Sequence, residues 1–238
     1  MDVYYWGYVI SGLAVLLFFI IALIAQGKVM FAHEKYSKVK SEFDLTGEGL
    51  AKKLSLESGV DVKIRSIKGN LTDNYDPTTK TLNISAANFS GKSIAAHAVV
   101  AHEFGHALQH AKGYLPLKVR HFAIKLSQFA SGAFLPLLIV GILLEIFLFN
   151  PFIGNVFIYC VAGFFGLSCL VNLVTIPVEY NASRRAKKLL QENAFYTKEE
   201  MKGVNEVLDA AALTYVAALL ISLAYFARLL LIILGNRR

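Results

Sequence analysis

The sequence is poor in charge and in cysteine, and each shortage excludes a class of protein. Charged residues make up 17% of the 238 positions, against about 25% in soluble globular domains, while hydrophobic residues make up 55%. This balance excludes a disordered chain and argues against an ordinary soluble globule. Two cysteines cannot form a disulfide scaffold. The net charge is +7, but the basic residues alternate with apolar blocks and form no stripe on a polar domain, so we expect no nucleic-acid partner.

Four long apolar blocks are present instead, at residues 3–25, roughly 129–149, roughly 152–178 and roughly 210–234. A helix needs about 20 apolar residues to cross a bilayer whose hydrocarbon is roughly 30 Å thick. All four blocks are long enough, so we predict a mainly α-helical, polytopic membrane protein with about four transmembrane helices.

The first block is interpreted as an uncleaved anchor over residues 1–26. A signal peptide, which is the alternative, needs a basic start, a shorter apolar core and a small-x-small cleavage site. The chain has Asp2 and no Lys or Arg before this block, and residues 22–27 offer no clean cleavage site.

The blocks divide the rest of the chain into four further segments. Residues 27–128 and 179–209 are polar, residues 129–178 form a predicted transmembrane hairpin that turns at Asn150-Pro151, and residues 210–238 form a C-terminal transmembrane helix. Lys and Arg follow the first and third blocks and precede the second, whereas the N-terminus and the hairpin turn carry none. The positive-inside rule therefore predicts that both polar segments are cytoplasmic and that the N-terminus is outside.

The first polar segment predicts a helix, a small β-hairpin and a second helix. Residues 45–58 have leucines on one face and lysines on the other, and Gly59 is a fitting end. Residues 60–67 and 79–85 alternate as strands do, so we expect them to form the hairpin. The strand at 79–85 is expected to be an exposed edge to which an extended substrate could add. The second helix is expected to begin near Ser90 or Ser93 and to end near Gly113.

That second helix contains His102-Glu103-Phe104-Gly105-His106. Two histidines four residues apart project from one helix face and can reach the same Zn²⁺ ion. Glu103 points close to the metal, where it can take a proton from water and pass it to a leaving amine. The H-E-x-x-H pattern is moderately specific, and two core histidines around an incidental Glu are the alternative. A buried Glu without a partner would, however, be costly.

Two further histidines in this helix are not expected to bind the metal. His110 lies on nearly the same face as His102, but about 12 Å along the helix axis, which is too far for both to share one ion with His106. We expect His110 to contact the ligands from outside or to lie at the surface. His97 faces another direction, so it is expected to be structural.

A third metal ligand has to come from elsewhere, and Glu179 is the predicted one. Catalytic zinc sites often combine two histidines with a glutamate. Glu179 lies where the third apolar block ends, on the side to which the hairpin returns the chain. An interfacial Glu179 paired with Arg184 or Arg185 is the alternative. The weaker candidates for the third ligand are Glu192, Glu199, Glu200 and Glu206, of which Glu200 already fits a capping box with Thr197.

Several motifs together resemble the YugP-type bacterial membrane zinc metallopeptidases. They are GNLTDNYDP at 69–77, SIAA at 93–96, AHEFGHA at 101–107, GY at 113–114 and PVEYNASRRA at 177–186. The resemblance covers essentially the whole chain. It implies a zinc-dependent peptidase of the bacterial cell membrane and implies no particular substrate.

A more distant similarity is to the HtpX-type membrane gluzincins, which combine HExxH with a later E-x-x-A-D motif. This chain has E-x-x-A-S, with Ser183 in place of an aspartate that would orient a zinc-binding histidine. We expect Asn181 or Ser183 to take that role. The group that stabilises the oxyanion is not fixed by the sequence, and the candidates are Tyr180, Arg184, Arg185 and His110.

These observations predict a membrane-embedded zinc endopeptidase with a small α+β zincin-like cytoplasmic domain. One Zn²⁺ per chain is expected on His102, His106 and Glu179, with Glu103 as the general base. The expected partners are the lipid bilayer and a protein or peptide substrate, and the expected location is the bacterial inner membrane. A zinc-stabilised adaptor or pseudoprotease that binds segments without cleaving them is the alternative. A carrier or channel subunit is disfavoured because the blocks contain few polar residues.

Overall fold

The computed structural model describes residues 3–148, 151–192 and 196–235. The described elements, in chain order, are α1 (Val3–Ser37), α2 (Gly47–Ser58), β1 (Lys63–Ile67), β2 (Asn74–Asp76), β3 (Thr81–Ser85), α3 (Ala86–Ser90), α4 (Ile94–Ala111), α5 (Leu115–Leu148), α6 (Pro151–Glu192) and α7 (Lys198–Gly235). The chain is therefore mostly helical, with one small sheet. Asn150, where the hairpin was predicted to turn, lies outside the described residues.

The contacts divide the chain into two compact units. The helical unit comprises Met1–Leu23, Lys118–Thr175 and Tyr215–Arg238. The mixed unit comprises Ile24–Leu117 and Ile176–Thr214, and it contains the sheet and every residue predicted to carry chemistry.

Three helices in the described part of the chain are long and apolar enough to cross a membrane: Tyr5–Ser37, Tyr159–Glu192 and Lys198–Gly235. They contain most of the first and third predicted blocks and all of the fourth. The second block falls in α5 and ends outside the described residues. Both cysteines lie in α6 and are free.

The sheet of the mixed unit has the strand order β1-β3-β2. β1 runs parallel to β3, with Ile64 opposite Leu82, and β2 runs antiparallel to β3, with Tyr75 opposite Leu82. The predicted hairpin between residues 60–67 and 79–85 is therefore wrong. The segment between them supplies β2, which reverses into β3 through a turn in which Lys80 has φ 52°. The connection from the end of β1 to the start of β3 is therefore long enough for these two strands to pair in parallel.

The expectation that residues 79–85 form an exposed edge is also wrong. β3 is the central strand, hydrogen-bonded on both sides, and all five of its residues are buried. Leu82 and Ile84 enter a core that they share with Leu50 and Leu54 of α2 and with Phe104 of α4. The sheet edges belong to β1 and β2.

Local sequence signals explain where α2 and α4 begin and end. The Thr46 side chain accepts a hydrogen bond from Gly49 N–H and caps α2, which ends at Gly59 in the left-handed conformation at φ 65°. The Ser93 side chain accepts from Ala96 N–H and caps α4. Gly113 follows α4 at φ 64°. The predicted ends of both helices are confirmed to within about two residues, which is the usual ambiguity of helix ends.

Most of α4 is buried, because small apolar side chains let it pack closely against α2 and α3. This packing places Phe104, Gly105 and His106 of the HEFGH segment in the interior of the mixed unit.

Candidate metal centre

Three of the residues predicted to bind metal meet in the mixed unit. His102 and His106 come from α4 and Glu179 comes from α6, and one potential ligand atom of each lies within 4.8 Å of the others. The Glu179 Oε2 atom is 3.0 Å from His102 Nε2, and Oε1 is 3.6 Å from His106 Nε2. Glu179 is only 2% exposed. The arrangement is a possible metal site built from two chain segments.

The second ring nitrogen of each histidine is occupied by a neighbouring side chain. His102 Nδ1 is 3.0 Å from Ser183 Oγ, and His106 Nδ1 is 3.0 Å from Gln109 Oε1. Metal-binding histidines are usually held in this way, with one nitrogen on the metal and the other in a hydrogen bond. Two imidazoles whose Nε2 atoms converge on a buried carboxylate form a donor set that suits Zn²⁺.

Gly105 explains how the two ligand-bearing helices come so close. A Cβ atom at this position would collide with the backbone oxygen of Ala182 in α6. Ala182 is itself fully buried. The glycine inside the HEFGH motif therefore sets the approach of α4 to α6, which brings both histidines to Glu179.

Glu103 differs from Glu179 in its surroundings. It follows His102 directly in α4 and is half-buried, whereas Glu179 is buried. A carboxyl group next to the ligands that keeps some contact with solvent can exchange protons. This is the property that a general base requires.

The two candidates for orienting a ligand histidine have different partners. Ser183 contacts His102, as described above. Asn181 Oδ1 accepts hydrogen bonds from Gln109 Nε2 at 3.0 Å and from Arg185 Nε at 2.7 Å. Of the two candidates, Ser183 is therefore the one that contacts a predicted ligand histidine.

Gln109 is the site residue that the sequence analysis missed. It is fully buried and contacts His106 directly. Its position three residues after the second histidine, on the same helix face, is a signal that could have identified it.

The other histidines of α4 lie outside the ligand set. His110 Nδ1 is 2.9 Å from the hydroxyl of Tyr75 on β2. His97 is fully buried, with Nε2 2.8 Å from the Leu45 carbonyl oxygen and Nδ1 2.6 Å from the Tyr196 hydroxyl. The interpretation of His97 as a structural residue is confirmed by these contacts.

Three of the weaker third-ligand candidates make other contacts. Thr197 N–H donates to Glu200 Oε2 at 2.8 Å and Glu200 N–H donates to Thr197 Oγ1 at 3.3 Å, which confirms the predicted capping box. Glu206 forms an ion pair with Lys35, and Glu192 forms one with Lys188. Glu199 is exposed in the first turn of α7.

Comparison with known proteins matches the chain to a protein family and to a curated relative. A family model described as "Putative neutral zinc metallopeptidase" matches residues 11–234. The chain is also 42% identical over 214 residues to a Bacillus subtilis (strain 168) protein named "Putative membrane protease YugP". That alignment covers 90% of this chain and 92% of the relative. No solved structure matches the chain at a significant level.

Proposed function

Because the chain belongs to this family of neutral zinc metallopeptidases, we propose that it is a membrane-embedded zinc endopeptidase. Its substrates are peptide bonds in membrane proteins or in segments next to the membrane. The observation that carries the proposal is the convergence of His102, His106 and Glu179, with Glu103 following His102 directly in α4. The relative named as a membrane protease supports the same conclusion.

In this proposal His102, His106 and Glu179 hold one Zn²⁺ per chain. The bound ion would supply Lewis acidity, lowering the pKa of a water molecule toward about 7 and polarising the scissile carbonyl. Ser183 and Gln109 hold the two imidazoles so that their Nε2 atoms face Glu179. The buried Glu179 carboxylate adds a negative charge that helps to retain a divalent cation.

The proton transfers of the proposed reaction fall to Glu103. Its carboxylate accepts a proton from water as the water oxygen adds to the scissile carbonyl carbon. It then gives that proton to the amide nitrogen as the C–N bond breaks, so one carboxyl group serves first as base and then as acid. A positioned general base of this kind typically contributes a factor of about 10² to 10⁴ in rate.

The membrane location rests on the three apolar helices and on the name of the relative. We propose four spans in a bacterial inner membrane, the three apolar helices and the second predicted block, at residues 129–149, which begins in α5. The positive-inside pattern supports a cytoplasmic location for the mixed unit. Since Glu179 directly follows an apolar block, substrates would reach the site near the cytoplasmic surface of the bilayer.

The first experiment measures zinc per chain in detergent-purified wild type and in Glu179→Ala. We expect about one zinc in the wild type and much less in the variant, because removing one of three ligands should weaken a catalytic zinc site severely. Full zinc in the variant would mean that the third ligand lies elsewhere. A wild type that binds no zinc under these conditions would remove the basis for the peptidase proposal.

The second experiment separates a peptidase from an adaptor that only binds segments. Glu103→Gln should keep about one zinc per chain but lose cleavage of an unfolded protein substrate by a factor of about 10² or more. The control is Glu57→Gln, which changes an exposed glutamate on α2 and should leave cleavage unchanged. Undiminished cleavage in Glu103→Gln would exclude Glu103 as the general base.

A further inference from the structure

Gln109 makes a set of buried hydrogen bonds that connects the two chain segments of the metal centre. Its side chain is completely buried. Its Oε1 atom is 3.0 Å from His106 Nδ1, and its Nε2 atom is 2.7 Å from the Val178 carbonyl oxygen and 3.0 Å from Asn181 Oδ1. One amide group on α4 thus contacts a ligand on its own helix and two residues that flank Glu179 on α6.

The backbone carbonyl of Val178 determines the orientation of the Gln109 side-chain amide, that is, which end is Oε1 and which is Nε2. A carbonyl oxygen can only accept a hydrogen bond, so the atom of Gln109 that faces it has to be the NH₂ group. The opposite end of the amide is then the oxygen, which can only accept. His106 therefore donates its Nδ1–H to Gln109, and in the neutral imidazole the lone pair lies on Nε2, the nitrogen that faces Glu179.

The contact with Asn181 leads to the same orientation. Arg185 Nε can only donate, and it lies 2.7 Å from Asn181 Oδ1, so this Asn181 atom is the acceptor oxygen. The Gln109 atom facing the same oxygen has to be a donor. Ser183, which contacts His102, does not determine the tautomer of His102, because a hydroxyl group both donates and accepts.

We propose that Gln109 is a positioning residue that prepares the site for metal in two ways. It holds His106 in the tautomer whose Nε2 atom can bind an ion, and it ties α4 to the turn of α6 that carries Glu179. The inference rests on the proposed function only in taking Zn²⁺ as the ion. Side chains that hydrogen-bond to metal ligands typically contribute a factor of about 10 to 100 in metal affinity, and we expect an effect of this size for Gln109.

The test compares two substitutions that separate the acceptor role of the Gln109 amide from its donor role. Gln109→Met keeps the approximate size but removes both hydrogen-bonding ends. Gln109→Glu keeps an acceptor for His106 Nδ1–H and loses the NH₂ group. Gln191→Met is the matched control, because Gln191 is an exposed glutamine on α6. Zinc affinity is measured on metal-free, detergent-purified full-length chains by competition with a chromophoric chelator, and the absorption spectrum is recorded after loading with Co²⁺.

We expect Gln109→Met to bind zinc about 10 to 100 times more weakly than wild type and to show an altered Co²⁺ spectrum. Gln109→Glu should regain part of the lost affinity, because it restores the acceptor for His106. If Gln109 only packed against its neighbours, Gln109→Glu would not restore zinc affinity and the Co²⁺ spectrum would not change. If Gln109→Met does not fold, the proposal is tested with Gln109→Glu alone, for which we expect a shifted Co²⁺ spectrum.

The inference is overturned if the folded variants bind zinc as tightly as wild type and Gln191→Met do, with an unchanged Co²⁺ spectrum. This failure is distinct from failure of the proposed function. A wild type that binds zinc but cleaves nothing would contradict the peptidase and leave the role of Gln109 intact. A wild type that cleaves with zinc, together with unaffected Gln109 variants, would contradict only the role of Gln109.

Discussion

At the scale of single residues, the histidines of one helix differ in the groups that their ring nitrogens contact. His102 and His106 direct their Nε2 atoms toward the carboxylate of Glu179. His97 has both ring nitrogens occupied within the core, because its Nε2–H donates to the Leu45 carbonyl oxygen and its Nδ1 accepts from the Tyr196 hydroxyl. This pattern requires the neutral imidazole, since a protonated Nδ1 could no longer accept a hydrogen bond.

His97 should make the stability of the protein depend on pH. Burial lowers the pKa of His97 below its ordinary value, although the hydrogen bond with Leu45 and the charge of Glu200 partly oppose this effect. In the unfolded chain the same imidazole takes up a proton near pH 6.5. The unfolded state therefore binds more protons, and stability falls as the pH drops from about 6.5 toward the lower pKa of the folded state.

The measurement is the melting temperature of zinc-free protein between pH 7.5 and 5. His97→Gln can donate to Leu45 and accept from Tyr196 without titrating, so its melting temperature should fall less steeply than that of wild type in this window. Zinc-free samples are needed because protonation of metal ligands would add its own pH dependence. Parallel curves for the two proteins would show that His97 does not contribute.

The candidate site could be predicted from the sequence as far as residue type and spacing determine it. The i, i+4 spacing placed His102 and His106 on one face, and the position of Glu179 at the end of the third apolar block made it the predicted third ligand. The contacts of Gln109 could not be predicted in the same way, because they depend on how close α4 comes to α6. That approach is decided by a glycine and a buried alanine that are 77 positions apart in the sequence.

At the scale of secondary structure elements, the long helices were predictable and the sheet topology was not. The lengths of the apolar blocks indicate the long helices, and the capping residues Thr46 and Ser93 mark where α2 and α4 begin. The three-residue strand β2 follows the turn signal Gly69-Asn70 and ends within the turn signal Asp76-Pro77, and a strand this short has no alternation to detect. Missing β2 led directly to the wrong pairing and to the wrong edge.

The close contact of α4 with α6 gives a second prediction, for Gly105→Ala. The added methyl group meets a backbone oxygen, which cannot rotate away, so the helices have to separate or shift. Overpacking of this kind typically costs about 1–3 kcal/mol in the free energy of unfolding. We therefore expect a lower melting temperature and clearly less zinc per chain, measured by elemental analysis.

The control for this substitution is Gly27→Ala. Gly27 lies within α1, and a Cβ atom there has nothing within 4 Å. Alanine is also favoured over glycine inside a helix by about 0.8–1.0 kcal/mol, so this variant should keep its zinc and be as stable as wild type or more so. Equal zinc content in Gly105→Ala and Gly27→Ala would contradict the role assigned to Gly105.

At the scale of the whole molecule, the distribution of Lys and Arg predicts which side of the membrane the mixed unit occupies. The test uses a chain in which Cys160 and Cys169 have been replaced by alanine, with one new cysteine at a time. Glu57→Cys is exposed on α2 in the mixed unit, and Asp2→Cys reports on the N-terminus. A membrane-impermeant maleimide should label Asp2→Cys in intact spheroplasts and Glu57→Cys only after lysis. The reverse labelling pattern would place the proposed site outside the cytoplasm.

The separation of the proposed ligands along the chain has a consequence for biogenesis. His102 and Glu179 are 77 residues apart, and two apolar blocks lie between them. A ribosome that has produced the HEFGH helix has therefore not yet produced the complete ligand set. The nascent chain stays without its full set of proposed ligands until the two intervening apolar blocks have been synthesised. If the chain is the proposed peptidase, its own order of synthesis delays cleavage until both ligand-bearing segments exist.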